Sequence, residues 1–342
     1  MDPRSAAAGA LIASPAGALE RLAAHSAEGF PNLLAARERT ALRLAEMRER
    51  VAGVPLPADA AIVLFGSWGR GELTAHSDDD WLLLVDGPLR DEHEPVVATL
   101  RELLGAEDRK PGTQEIFGAA ASAHVLASRI GLDEDTNRSL TRRMLLLLES
   151  VPVAGDAAYE RCWVHVLNSY LEDATKDFRP PRFLLNDLVR YWRTICVDFV
   201  GKQREDEEKW GLRNAKLRTG RKVLFAAGLL PILLCDRYRQ ADMRDFLVTQ
   251  LRAPATDRLA AGFAAYDLVD GGGRALDAYD RWIGMLDDDA TRAELAAVRR
   301  ETADASDAYA RVRRSGRELE AGLLALLFET PLVVLVREYG VF

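Results

Sequence analysis

Between two short apolar runs, Val63–Phe65 and Trp81–Val85, the chain carries Gly66-Ser67-Trp68-Gly69-Arg70-Gly71 and then three consecutive aspartates, Asp78, Asp79 and Asp80. The apolar runs suit buried strands bounded by glycine-rich punctuation. A hairpin with an acidic turn would satisfy the backbone. It leaves the charge unexplained, because three adjacent carboxylates at the mouth of a buried strand repel one another and resist desolvation unless a cation balances them. Side chains alternate along extended chain, so Asp78 and Asp80 share one face while Asp79 and Trp81 take the other. Hard oxygen ligands converging from one strand suit Mg²⁺, which completes its octahedron with water and substrate phosphates. The glycines let backbone N–H groups approach phosphate oxygens, and the loop is expected to open a short helix. The ligand implied is a metal-bound triphosphate.

The stretch GSWGRGELTAHSDDD resembles the signature of the DNA polymerase β-type nucleotidyltransferases, in which a Gly-Ser loop is followed by an Asp-x-Asp pair. Gly-Arg-Gly-Glu-Leu followed by Ser-Asp-x-Asp is most similar to the branch containing the bacterial uridylyltransferase of the nitrogen-regulatory PII protein. The middle residue of Asp-x-Asp is usually apolar in that family and is Asp79 here, which puts the metal register in question. The resemblance implies an α+β fold, with a small mixed sheet and flanking helices over residues 56–155. An N-terminal helical segment (1–55) would precede it, and a larger all-α domain (156–342) would follow.

The resemblance also implies that Asp78 and Asp80 are catalytic ligands of Mg²⁺ or Mn²⁺. Gly66, Ser67 and Gly69 would bind the nucleotide, with the Ser67 hydroxyl on a terminal phosphate oxygen. Arg70 would either join them or support the loop. A third carboxylate is expected on a later strand, as catalyst and metal ligand, and Glu115 is the choice because it precedes Ile116-Phe117-Gly118, which reads as a returning strand. Asp133, Glu134 and Asp135 compete for that role but read better as the acidic start of a helix. Leu147-Leu148-Glu149-Ser150, followed by Ala154-Gly155-Asp156, continues the likeness.

From Asp156 onward the apolar residues recur at helical spacings, with turn signals at Pro180-Pro181 and Gly271-Gly272-Gly273. Between Lys176 and Lys222 there are thirteen Lys/Arg against seven Asp/Glu, inside a chain whose net charge is −8. Such asymmetry marks a face. Arg190, Arg193, Lys216 and Arg221 are the candidates to bind the triphosphate across a cleft from the carboxylates, and a solvated basic face is the plainer alternative. Tyr191, Trp192 and Trp210 have the chemistry to stack on a base, although aromatics at helical spacing more often belong to a core.

The acidic balance argues against stable binding to duplex DNA, where affinity comes mainly from neutralising phosphates. Three widely spaced cysteines fit neither a disulfide framework nor a thiolate metal site, and five histidines show no paired ligand spacing. The longest apolar run, VLFAAGLLPILLC, is short and interrupted by Pro231, so no membrane partner is expected and the cytoplasm is the expected compartment. The expected partners are a nucleoside triphosphate and a protein, RNA or small-molecule acceptor, with pyrophosphate released. Two other readings compete. One is a synthase that makes a nucleotide signal or oligonucleotide in anti-phage defence, and the other is an inactive nucleotidyltransferase-like binding module or antitoxin.

Overall fold

The computed structural model describes residues 14–104, 116–171, 176–205 and 209–340. The chain divides into two compact units, one of residues 36–175 and one that joins residues 1–35 to residues 176–342.

In the first unit, β1 (Ala60–Phe65) and β2 (Trp81–Val85) form the centre of a four-stranded mixed sheet. Strands β3 (Ala119–Ser122) and β4 (Ser150–Ala154) form its edges, in the order β3-β2-β1-β4. β1 and β2 pair antiparallel from Ala60↔Val85 to Leu64↔Trp81, whereas β2 and β3 run parallel. A parallel pair needs a crossover, and the helix His93–Leu104 lies in that connection. β3 begins just after Ile116-Phe117-Gly118, so the returning strand lies slightly later than the apolar residues indicate.

Both central strands are buried along their whole length, the pattern of a sheet covered on two faces. On one face Ile62, Leu64, Trp81 and Leu83 join Met47 and Val96 in a common core. The helix Asp156–Leu171 packs against β1 and β2 and buries Cys162, Trp163 and Val166. Each large apolar side chain removed from water contributes about 1.5–3 kcal/mol, so burial on both faces fixes the register of the acidic segment that leads into β2. Pro152 of β4, which has no N–H to donate, sits on an edge strand opposite Val63, where the ladder with β1 shifts register.

The second unit is helical. Its longest members are Arg182–Glu205, Asp307–Phe328 and Val269–Asp287. The three glycines expected to form a turn lie inside Val269–Asp287 instead. The smallness of two of them serves packing: a β-carbon on Gly272 would meet the Phe263 ring at 2.5 Å, and one on Gly273 would meet the His25 carbonyl at 2.1 Å. Pro231 likewise lies within the helix Gly220–Leu234. Proline cannot donate to the carbonyl four residues back, and here Nη1 of the buried Arg258 donates to Ala227 O at 3.2 Å. Tyr191 and Trp210 are buried, Trp210 stacks at a tilt on Tyr309 and Trp192 on Phe225, so all three aromatics serve packing.

Three buried aspartates of this unit bind its N-terminal residues. Asp257 accepts from Leu19 N at 3.3 Å, Asp277 from Ala27 N at 3.0 Å and Asp280 from Leu33 N at 2.7 Å. Those of Asp257 and Asp280 satisfy first-turn amides that have no intrahelical partner, and that of Asp277 holds the loop between two helices. Among the described residues, no single helix is long and apolar enough to cross a membrane.

Candidate active site

The Gly-Ser loop follows directly from the end of β1. Gly66 adopts φ 69° and ψ −126°, a backbone conformation essentially reserved for glycine. A single helical turn, Ser67–Arg70, follows and closes at Gly71 with φ 70°. Phe65 N donates to Asp80 O at 2.9 Å, and Gly66 N donates to Glu149 O at 3.1 Å. The start of the loop is therefore tied on one side to the acidic segment and on the other to the residue that precedes β4.

Asp78, Asp79 and Asp80 precede β2 rather than lying within it. Their burial nevertheless alternates: Asp78 is exposed, Asp79 is buried at 2% exposure and Asp80 is half-buried. Asp80 stands beside the loop, since a β-carbon on Gly66 would lie 3.6 Å from its Oδ2. The turn that delivers the segment is held by Thr74 N donating to Ser77 Oγ at 3.0 Å. Upstream, Thr40 Oγ1 accepts from Leu73 N at 3.1 Å and Arg39 Nη1 donates to Leu73 O at 2.9 Å.

The structure brings Gly66, Ser67, Gly69, Arg70 and Asp80 together, with Asp78 at the exposed end of the same segment. Their surroundings differ. Ser67 is half-buried in the first position of the helical turn. Gly69 faces backbone: a β-carbon there would lie 2.1 Å from the carbonyl of Glu149. Arg70 donates through Nε to Glu72 Oε2 at 2.6 Å and through Nη1 to Glu149 Oε2, both of which are buried carboxylates. Glu72, Glu149, Arg39 and Thr40 had no signal in the sequence beyond the Gly-Arg-Gly-Glu and Leu-Leu-Glu-Ser words. Glu115 lies outside the described residues. Arg190, Arg193, Lys216 and Arg221 belong to the helical unit, where Arg190 pairs with Asp187 at 3.0 Å and Arg193 and Lys216 are exposed.

A second group of polar residues lies at the other end of the central strands. Asp59, Glu92 and His93 have ligand atoms within 4.8 Å of one another, a spacing able to hold a metal ion. Arg90 already occupies the group: it pairs with Asp59 and with Glu92, and its backbone N–H donates to His93 Nδ1 at 3.0 Å. Asp59 precedes β1 and Asp80 precedes β2 in an antiparallel pair, which separates them by about 20 Å of strand. Also at that end, His124 and His165 stack with centroids 4.3 Å apart beside a cavity of about 410 Å³. Asp86 lies 3.2 Å from His124 Nε2 and accepts from Arg161 Nε at 2.5 Å. Burial works to raise the Asp86 pKa, but the hydrogen bonds from Arg161 and His124 outweigh it and hold the carboxyl below its ordinary value.

Residues 23–107 match the family described as "Putative nucleotidyltransferase DUF294". A stretch of 61 residues is 43% identical to the bifunctional uridylyltransferase/uridylyl-removing enzyme of Bordetella avium (strain 197N). The N-terminal part of the chain is thus similar to a putative nucleotidyltransferase family and, over a short stretch, to a uridylyltransferase. The likeness covers 17% of this chain and 7% of that relative.

Proposed function

We propose that the protein transfers a nucleoside monophosphate from a triphosphate to an acceptor hydroxyl. The acceptor oxygen forms a bond to the α-phosphorus, the bond from that phosphorus to the bridging oxygen breaks, and pyrophosphate departs with the electron pair. The acceptor proton passes to solvent or to a carboxylate of the site. The observation that carries this reading is the placement of Asp80 against Gly66, which puts a carboxylate beside a loop with backbone N–H groups and the Ser67 hydroxyl.

The donor set fits a hard divalent ion, since its donors are carboxylate oxygens and Gly66 carries no side chain in front of Asp80 Oδ2. Bound at Asp78 and Asp80, Mg²⁺ or Mn²⁺ would neutralise phosphate charge and make the acceptor hydroxyl more acidic. Glu115 is retained as the proposed third acid. Ser67 and the loop amides hold the phosphates, and the fixed loop presents them without reorganisation. We assign Arg190, Arg193, Lys216 and Arg221 a supporting role in neutralising the triphosphate. By likeness to the relative's name, a uridylyl group is the first to test.

The test is incubation with each labelled triphosphate and Mg²⁺ or Mn²⁺, with and without cell extract. Label appearing on a macromolecule or small molecule of the extract supports transfer to an acceptor. A product formed from triphosphates alone favours a nucleotide synthase instead. No incorporation with any triphosphate under either condition overturns both.

A further inference from the structure

We propose that Arg70 is a positioning residue and not a phosphate ligand: through Glu149 and Glu72 it clamps the loop of residues 66–71 in place beside Asp80. The inference rests on the nucleotidyl-transfer reading for its kinetic consequence, while its structural content stands apart from it.

Three loop residues converge on Glu149 by three different routes. Gly66 N–H donates to its backbone carbonyl at 3.1 Å. Gly69 lies flat against the same carbonyl, at a distance that leaves no room for a β-carbon. Arg70 reaches its side chain, which is completely buried, and turns a second edge of the guanidinium to Glu72, whose side chain is 2% exposed. The guanidinium is a rigid fork that stays charged at any pH the protein meets, so it can bridge two carboxylates where a lysine ammonium cannot hold the same geometry. Rotating Arg70 toward a phosphate would take this cation from two buried carboxylates, an unfavourable exchange in a dry site.

The far side of the same loop is the side that matters for chemistry. Phe65 N–H is bonded to Asp80 O at 2.9 Å, and Gly66 stands in front of the Asp80 carboxylate. Holding residues 66–71 on Glu149 therefore sets the distance between the loop amides and the acidic segment. A misplacement of about 1 Å at a reacting centre is enough to cost roughly 10²-fold in rate.

The experiment compares Arg70→Gln, Arg70→Lys, Glu149→Gln and the double variant Arg70→Gln/Glu149→Gln, reading amide hydrogen exchange over residues 66–72 and steady-state kinetics with a labelled triphosphate. A clamp predicts faster exchange in each single variant and no further gain in the double over Arg70→Gln, because the arginine change already opens the contact with Glu149. It predicts that kcat falls roughly 10²-fold while KM for the triphosphate stays level, and that Arg70→Lys does no better than Arg70→Gln. A phosphate ligand predicts the reverse: a raised KM that lysine partly restores, a silent Glu149→Gln, and unchanged exchange. That set of results overturns the proposal. If an Arg70 or Glu149 variant fails to fold, Glu72→Gln breaks one arm of the clamp and is read by the same exchange measurement. If wild-type protein transfers no nucleotide, the transfer reading fails while the exchange data still decide whether Arg70 positions the loop.

Discussion

A β-carbon added to Gly66 would stand 3.6 Å from Oδ2 of Asp80, filling space in front of that carboxylate. Gly66→Ala would also have to adopt a φ of 69°, a strain of about 1–3 kcal/mol. The expected result is a less stable protein with transfer lost. Gly69→Ala should destabilise by a different route, because the added carbon meets backbone and the loop must move off Glu149. Urea unfolding of both variants, beside activity, checks the pair; wild-type stability in either would contradict the described backbone.

The two exposed-face aspartates should behave alike. Asp78→Asn and Asp80→Asn are expected to lower transfer by roughly 10²-fold or more, with thermal stability unchanged or raised because like-charge repulsion is relieved. Asp79 is buried, so Asp79→Ala should lower stability more than it lowers the activity of the folded fraction. Equal catalytic damage at Asp79 and Asp80 would point to a different metal register.

Neutralising Arg190, Arg193, Lys216 or Arg221 one at a time should weaken triphosphate binding by more than the roughly 1 kcal/mol that an exposed ion pair is worth, and added salt should mimic the loss. The readout is KM for the triphosphate. Four values equal to wild type would remove these residues from the substrate's surroundings and leave a solvated basic face.

The thiols separate by burial. Burial pushes the Cys162 thiol up to about 12 and the Cys235 thiol far above its ordinary value, whereas Cys196 is only half-buried and shifted upward less. Thiolate is the reactive form. In native protein a colorimetric thiol reagent at mildly alkaline pH should therefore titrate Cys196 alone, with Cys162 and Cys235 appearing after denaturation. Fast reaction of Cys162 would mean that the helix Asp156–Leu171 leaves the sheet readily.

Asp86 and Asp280 should bend the acid limb of stability in opposite directions. The Asp86 carboxyl is held below its ordinary 3.8, so its contribution is complete above that value and lost as pH falls through the lower folded value. The Asp280 carboxyl is raised above 3.8, chiefly by burial and against hydrogen bonds from Leu33 and Asn32. The folded state then binds that proton more tightly, and stability is lost as pH rises from 3.8 through the folded value. Denaturant midpoints measured from acid to neutral pH check the signs: Asp86→Asn should flatten the acid loss, and Asp280→Asn should remove the opposing slope.

The central hairpin, its loop and its acidic segment were legible in the sequence because short-range rules govern them: apolar runs of strand length, glycines where φ turns positive, and carboxylates at a strand mouth. The helical nature of the second half was equally plain from its periodicity. What stayed hidden depends on contacts between distant positions. Gly271, Gly272 and Gly273 read as a turn, yet they lie within a helix, and at Gly272 and Gly273 the Phe263 ring and the His25 carbonyl occupy the space a side chain would need. β3 is written in three alanines and a serine, residues that declare no strand until β2 pairs with them. The Arg70–Glu149 pair joins positions 79 apart, and the Asp59, Glu92 and His93 group joins the entry to β1 with the helix after β2. No local pattern announces either.

The helical unit is assembled from both sides of the sheet unit in the chain, and this sets an order of events during synthesis. A ribosome adds residues at about 5–20 per second, so the backbone amides of Leu19, Ala27 and Leu33 wait on the order of tens of seconds before Asp257, Asp277 and Asp280 are made to receive them. Residues 36–175 emerge complete in that interval. On a nascent chain halted between residues 175 and 257, the amides of Leu19, Ala27 and Leu33 are still hydrogen-bonded to water, because the aspartates that later receive them have not been made.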